Sequence, residues 1–349
     1  MVMKRFIYAL LFVSLIWSSY SGQAQNKRYT VMFYNVENVF DTLKTPGVLD
    51  EEFTPEGINK WDGQKYWKKM ANLERVFYEI STTAKDYPTI IGVSEIENRS
   101  VLEDMVSQEK LLRANYQIVH YDSPDARGVD VALFYRPDQF KYEGSAPIPV
   151  RVEGEPNFKT RDILMVWGKI EGEDFYFFVC HWPSRTGGQQ ASEYKRIRAA
   201  QCARHAADSV MQQFPDAKIV IMGDLNDDPT NKSLYETLGA KGKVSEIEDT
   251  GFFNPYHEMF KKGHGTLAYN DAWNLFDNII VNGNLANGRG NGLKLVKGSG
   301  AKYFGNIFDR SFLRQQSGQY KNYPLRTYVS NAFQGGYSDH FPVYIYISK

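Results

Sequence analysis

Lys218-Ile219-Val220-Ile221-Met222-Gly223-Asp224-Leu225-Asn226-Asp227-Asp228-Pro229 carries the decision about the fold. The run Lys218 to Met222, apolar from Ile219 on, reads as a short buried strand. The chain then turns on Gly and Pro with Asp and Asn between them. Carboxylates and an amide therefore stand at the open end of a strand, where the backbone is rigid and side chains are free to do chemistry. Alone, such a turn is an ordinary cap for the next helix. The pattern recurs, however. Tyr29 to Val36 ends in Asn35-Val36-Glu37-Asn38, Thr89 to Ser94 stops at Glu95, and Phe175 to Cys180 runs into His181. Asp277 opens the strand Asn278 to Val281, and Ser338-Asp339-His340 opens the strand Phe341 to Ile347.

These positions set strand directions. Asn35, Glu95, His181 and Asp224 follow their strands, whereas Asp277 and His340 precede theirs. If all six meet at one edge, the last strands run opposite to the first. The sheets are then mixed, unlike the parallel sheets of Rossmann and TIM architectures. Helical spacing supplies the other half of an α/β fold. Tyr66, Met70, Leu73, Phe77 and Ile80 share one face behind an Asp62 N-cap. Val101, Leu102, Met105, Val106 and Leu112 predict a second helix, and Ala191 to Phe214 a third. Tyr116 to His120 and Val129 to Tyr135 read as strands, and Ile163 to Ile170 pairs with Phe175 to Cys180 across the turn Glu171-Gly172-Glu173-Asp174. The segment Asn282 to Tyr337 reads as irregular.

The chain has 349 residues, with 41 basic and 41 acidic. Lys4-Arg5, the apolar run Phe6 to Trp17 and Gly22-Gln23-Ala24 predict a signal peptide over 1–24, leaving 25–349 as one domain. The apolar run is short for a membrane span, which needs about 20 residues, so no stable membrane anchor is expected, and the protein is expected to be secreted, periplasmic or at the cell surface. Without Lys4 and Arg5, 39 basic residues face 41 acidic ones, a net charge of −2. That excludes a basic nucleic-acid coat protein. Cys180 and Cys202 read as small buried residues, with a single bridge as the alternative in an oxidising compartment. Nothing in the sequence indicates a protein partner.

The chemistry of the six residues is coherent. Glu, Asn and Asp oxygens suit a hard divalent cation, Mg²⁺ or Mn²⁺, with Ca²⁺ as an alternative. Two histidines suit proton transfer and phosphate binding. The absence of clustered Cys and His disfavours zinc, and no Gly-x-Ser-x-Gly marks a serine hydrolase.

Tyr34-Asn35-Val36-Glu37, Gly92-Val93-Ser94-Glu95, Arg127-Gly128, His181, Gly223-Asp224-Leu225-Asn226, Phe276-Asp277-Asn278-Ile279 and Ser338-Asp339-His340 occur in this order. At these motifs the chain resembles the endonuclease/exonuclease/phosphatase superfamily, which includes pancreatic-type deoxyribonuclease, abasic-site endonucleases, sphingomyelinases and inositol polyphosphate phosphatases. Asn-Val-Glu-Asn-x-Phe-Asp is similar to a secreted bacterial subgroup. The resemblance implies a four-layer α/β sandwich of two packed mixed β-sheets flanked by helices. It implies metal ligation by Glu95 with Asn35, and by Asp339 and Glu37 as further ligands. It implies catalytic roles for His340, Asp224, Asn226, His181 and Asp277, with Arg127, Asn226 and His181 binding the substrate phosphate. Asp277 would orient His340. Whether Asp224 or His340 takes the proton stays open. Ser184 and Arg185 are further candidate contacts. The implied activity is phosphodiester hydrolysis, nucleic acid first. Phosphomonoester, phospholipid or inositol phosphate hydrolysis is the alternative, and a non-catalytic binding protein the lesser one. Arg127, Arg185, Lys195 and Arg196 are the candidates for a basic rim.

Overall fold

A computed structural model of the chain describes residues 27–288 and 292–349. The signal-peptide segment lies outside these residues. In chain order the elements are β1 (Arg28–Val39), α1 (Gly63–Ala84), β2 (Ile90–Ile96), α2 (Arg99–Val106), β3 (Gln117–His120), β4 (Asp130–Tyr135), β5 (Lys141–Ile148), β6 (Ile163–Ile170) and β7 (Glu173–His181). There follow α3 (Gln189–Gln213), β8 (Lys218–Asp224), β9 (Ala240–Lys241), β10 (Phe252–Phe253), α4 (His257–Lys261), β11 (Leu267–Tyr269), β12 (Ala272–Asn274), β13 (Asp277–Asn282) and α5 (Gly283–Asn287). The last are β14 (Lys294–Val296), β15 (Asn306–Ile307), β16 (Tyr328–Val329), β17 (Ala332–Phe333) and β18 (Val343–Ser348).

Two large sheets result. The first runs β14-β18-β1-β2-β4-β3 with β15 also on β18, and the second runs β5-β6-β7-β8-β13-β10-β9. Both are mixed: β1 pairs parallel with β2 and antiparallel with β18, and β8 pairs parallel with β7 and antiparallel with β13. The late strands thus oppose the early ones.

Side-chain alternation builds the layers. Val31 and Phe33 of β1, with Leu133 of β4, face Val166, Phe177, Val220, Met222 and Ile279 across the sheet–sheet core. The opposite face of the first sheet (Met32, Tyr34, Ile91, Val93) packs on Met70, Leu73, Phe77 and Ile80 of α1. The outer face of the second sheet (Phe178, Cys180, Ile219, Ile221) packs on Ala199, Ala200, Ala203 and Ala207 of α3, whose small side chains let the helix approach closely. The order helix, sheet, sheet, helix is the four-layer arrangement. Asp62 caps α1 by accepting from the Lys65 N–H at 3.0 Å.

Several local features depart from the sequence reading. The second helix stops at Val106, a 3₁₀ segment covers Glu109–Ala114, and Leu112 is 60% exposed, so it does not extend the apolar face. The β6–β7 turn is two residues, Glu171 and Gly172, both with positive φ, as hairpin twist favours. Strand β5 contains Gly144 and Pro147, which mask it in sequence. The segment from 282 holds α5, β14, β15 and the β16–β17 hairpin. Both cysteines are free thiols, Cys180 buried and Cys202 half-buried. Among the described residues no helix is long and apolar enough to cross a membrane.

Candidate active site

The six strand-edge residues converge where the two sheets abut. Asn35 and Glu95 come from the first sheet, and His340 from the turn entering β18. His181, Asp224 and Asp277 stand side by side in the second sheet, with Asp224 the register partner of both others. Gly223 lets the strands close there, because a Cβ on it would lie 2.1 Å from the Cys180 carbonyl oxygen. Hydrogen bonds then cross from sheet to sheet. Asn35 Nδ2 donates to Asp224 Oδ2 at 3.0 Å, and His340 Nδ1 lies 2.7 Å from Asp277 Oδ2. Ser338 explains its motif: its hydroxyl donates to the Asn35 carbonyl at 2.7 Å and accepts from the His340 N–H at 3.1 Å, tying the turn to β1.

The edge is also where the backbone departs from regular strand. Glu37, Asn38, Glu95 and Asn226 all have positive φ, between 48° and 66°. The β1–β2 register shifts after Asn35, and the β2–β4 register shifts across Glu95. Bulges of this kind re-aim side chains out of the pleat, and left-handed non-glycine residues cluster at functional sites.

The two histidines have opposite surroundings. His340 is buried, which opposes its charge. Asp277 on Nδ1, Asp224 3.8 Å from Nε2 and Asp339 3.9 Å from Nε2 outweigh this and hold it well above the usual histidine range. Thr266 Oγ1 donates to the same Asp277 oxygen. His181 is equally buried, and its nearest charges beyond the edge are cations. Burial first, then Arg161, Arg127 and His340, push it well below that range. Its Nε2 faces Asp224 Oδ2 at 3.7 Å and Glu95 Oε1 at 3.9 Å. Burial pushes Asp224 up to about 6, with His340 opposing and Asp277 adding to the shift.

Arg161 is one of the residues the sequence reading missed. Buried just before β6, it donates from Nε to the His181 carbonyl (3.2 Å), from Nη2 to the Trp182 carbonyl (2.7 Å) and from Nη1 to Asp125 Oδ2 (3.0 Å). Its only sequence signal is Thr160-Arg161-Asp162 interrupting the approach to an apolar strand. Arg127 lies in the loop that Arg161 clamps, but its side chain is 44% exposed and 3.8 Å from Asp125. Asn226 donates from Nδ2 to the Trp182 carbonyl (2.9 Å), and its N–H donates to Asp224 Oδ1 (3.0 Å).

Glu37 and Asp339 form a flank with their own cations. Arg326 donates from Nη2 to Asp339 Oδ2 at 2.6 Å and from Nε to Glu37 Oε1 at 3.4 Å. The Thr327 N–H donates to Glu37 Oε2 at 2.6 Å, and buried Lys69 lies 3.9 Å away. Burial pushes the Glu37 carboxyl up and the Lys69 amine down. Arg326 and Lys69 were not anticipated, because only the fold brings α1 and residue 326 to this edge. The anticipated basic rim is not assembled. Arg196 is fully buried 2.8 Å from Asp227, Arg185 braces Asn226, Asp227, Asp228 and Asn231, and Lys195 pairs with Glu155. The Ser184 hydroxyl bonds Thr186.

The donor set fits a hard divalent cation. Asp224, Asp277 and His340 each bring a ligand atom within 4.8 Å of the others. Among the described residues Glu95 has no Lys or Arg within salt-bridge distance, and its oxygens accept from Asn35 Nδ2 (3.3 Å) and the Asn38 N–H (2.9 Å). Asn35 turns its oxygen to the Glu37 N–H at 2.9 Å and its amide N–H groups to the carboxylates. Asp277 Oδ1 is buried without a hydrogen-bond partner among the described residues.

Residues 30–349 match the family model described as the Endonuclease/Exonuclease/phosphatase family. No curated protein matches the sequence. Among solved structures, the chain resembles D. rerio TDP2 complexed with single strand DNA product, at 12% identity over 93% of this chain and 100% of that one, TM-score 0.54. It resembles a mannosyl-6-phosphatase of Bacteroides thetaiotaomicron at 16% identity over 92% and 100%, TM-score 0.53. The human Nocturnin catalytic domain with bound sulfate follows at 16% over 92% and 94%, TM-score 0.51. At these identities the likeness is one of fold.

Proposed function

Because the chain belongs to the endonuclease/exonuclease/phosphatase family, we propose that this sheet edge is the active site of a metal-dependent phosphoesterase that cleaves its substrate with water. The observation that carries the reading is His340 set between Asp277 at 2.7 Å and Asp224 at 3.8 Å, carboxylates that favour its charged form, at the edge that also holds the Glu95 carboxylate. A charged His340 is an acid and an anion ligand, not a base. That leaves Asp224 as the proton acceptor. Its raised affinity for protons, still below neutral pH, suits a general base.

In this mechanism Asp224 orients a water and takes its proton as the water oxygen attacks phosphorus. The Asn226 N–H holds the other Asp224 oxygen. His340 donates from Nε2 to a phosphate oxygen, its ring fixed by Asp277. His181, kept neutral, carries its proton on Nε2 and donates to the charge that builds up in the transition state. Glu95 would hold the divalent ion, with Asp339 alongside. When bound, the ion supplies Lewis-acid polarisation and charge neutralisation. The P–O bond to the leaving group breaks, and no enzyme–phosphate bond forms.

For the substrate, we infer a phosphodiester of nucleic acid, single-stranded or short. Three of the four candidate rim cations, Arg185, Lys195 and Arg196, are paired with carboxylates, which argues against a duplex, since a duplex needs several Lys and Arg contacts to phosphates. Comparable likeness to a mannosyl-6-phosphatase supports a second reading, a small phosphomonoester. Export after a signal peptide remains part of the proposal, tested by the mature N-terminal mass. The central test is hydrolysis of bis-p-nitrophenyl phosphate with Mg²⁺, Mn²⁺ or EDTA. Turnover with metal and none with EDTA supports the reading. A Glu95→Ala variant with full activity would refute the assignment of the metal.

A further inference from the structure

A cavity of about 300 Å³ opens beside the catalytic edge. This lies within the range of small-molecule sites, about 300–1,000 Å³. One wall is the β11–β12 hairpin with Tyr269 and Asn270, the other is the loop with Gln315, Tyr320 and Tyr323, and Arg326 and Asp339 also line it. Asp339 is the link to the chemistry, 3.9 Å from His340 Nε2.

The walls are bonded to each other and packed against the edge. The Tyr323 hydroxyl accepts from the Asp271 N–H (2.7 Å) and donates to Asp271 Oδ1 (2.6 Å), latching loop to hairpin. Trp273 of β12 stacks on Phe341, next to His340, with ring centroids 6.0 Å apart. Within this frame Tyr269 is 71% exposed and Tyr320 is 43% exposed. Neither the Asn270 nor the Gln315 side-chain amide has a hydrogen bond among the described residues. Exposed tyrosine rings stack on planar heterocycles, and free carboxamides read a base edge.

We propose that this cavity is a base subsite that takes the heterocycle of one nucleoside whose phosphate lies at His340. The assignment rests on the phosphoesterase reading above and names its substrate class. A base lodged between these walls is unpaired, so the enzyme acts on single nucleotide units or strand ends.

Phosphonates, whose P–C bond water does not cleave, probe the subsite without turnover. The full chain with Mg²⁺ is titrated calorimetrically with a nucleoside phosphonate, a hexose phosphonate and methylphosphonate. The nucleoside probe binds most tightly. Tyr269→Ala and Tyr320→Ala, both on exposed rings, weaken it by about 5- to 150-fold, the span of base–aromatic stacking, and leave methylphosphonate unchanged. A hexose probe that binds as tightly, a nucleoside probe no tighter than methylphosphonate, or tyrosine variants without effect would overturn the subsite. EDTA-sensitive hydrolysis of a ring-free alkyl phosphate, measured in parallel, tests the chemistry separately. If it persists while the nucleoside preference is absent, only the subsite falls.

Discussion

His181 and His340 end up at one sheet edge, both buried, and their surroundings push their proton affinities in opposite directions. His340 has Asp277, Asp224 and Asp339 within 4 Å. His181 faces two carboxylates at 3.7 and 3.9 Å, has no counterpart of the 2.7 Å Asp277 contact, and has its carbonyl held by Arg161. Burial alone would neutralise both rings. The neighbours decide, and those neighbours come from different strands and different sheets. Two copies of the same side chain are thus given opposite tendencies to hold a proton.

The most disruptive way to break the contrast is to remove the cation under His181. Arg161→Met leaves Asp125 buried without its partner, takes the side-chain donor from the His181 carbonyl and leaves the Trp182 carbonyl only Asn226 Nδ2. A loss of about 3–5 kcal/mol of stability follows, read as a lower denaturant midpoint. An unchanged midpoint would mean that Arg161 does not hold the His181 side together. Next is His340→Ala, which lowers kcat by at least about 10²-fold with an unchanged circular dichroism spectrum. A wild-type rate would remove His340 from the chemistry.

The pH profile sharpens the comparison. Asp224 must be ionised to accept a proton, so activity rises as pH climbs through about 6, or lower once a bound cation favours the carboxylate. His340 must be charged, and its charge is lost only as pH rises through its elevated pKa. Asp277→Asn removes the first of its counter-charges, lowers that pKa and moves the basic limb of kcat toward neutrality. An unmoved basic limb would show that His340 is not the group titrating. The smallest effect belongs to Arg127→Ala. Its side chain is half-exposed and its ion pair long, so kcat/KM falls less than about threefold, in keeping with exposed pairs worth about 0–1 kcal/mol.

Much of the edge could be read from sequence because strand ends are local events. Apolar alternation, a glycine and a polar residue mark Asp224, Glu95 and His340 within a few positions of each strand. Arg161, Lys69 and Arg326 carry no such mark. Lys69 sits in a helix whose spacing makes it one more polar residue, yet its amine is buried and donates to the Thr327 hydroxyl and the Tyr337 carbonyl. Arg185 and Arg196 fail in the other direction. Their sequence context suggests a surface rim, but carboxylates of the 227–228 turn capture them.

By itself, the sequence determined the α/β class, the opposed direction of the last strands and the residues that would gather at their ends. Each of these follows from periodicity and from the point where it stops. Only the tertiary structure decided which histidine is pushed toward its charged form, which carboxylates are paired with protein cations, and that a tyrosine-lined cavity adjoins Asp339. Coulomb interactions and desolvation depend on distances of a few ångströms between residues hundreds of positions apart, and no local pattern encodes them.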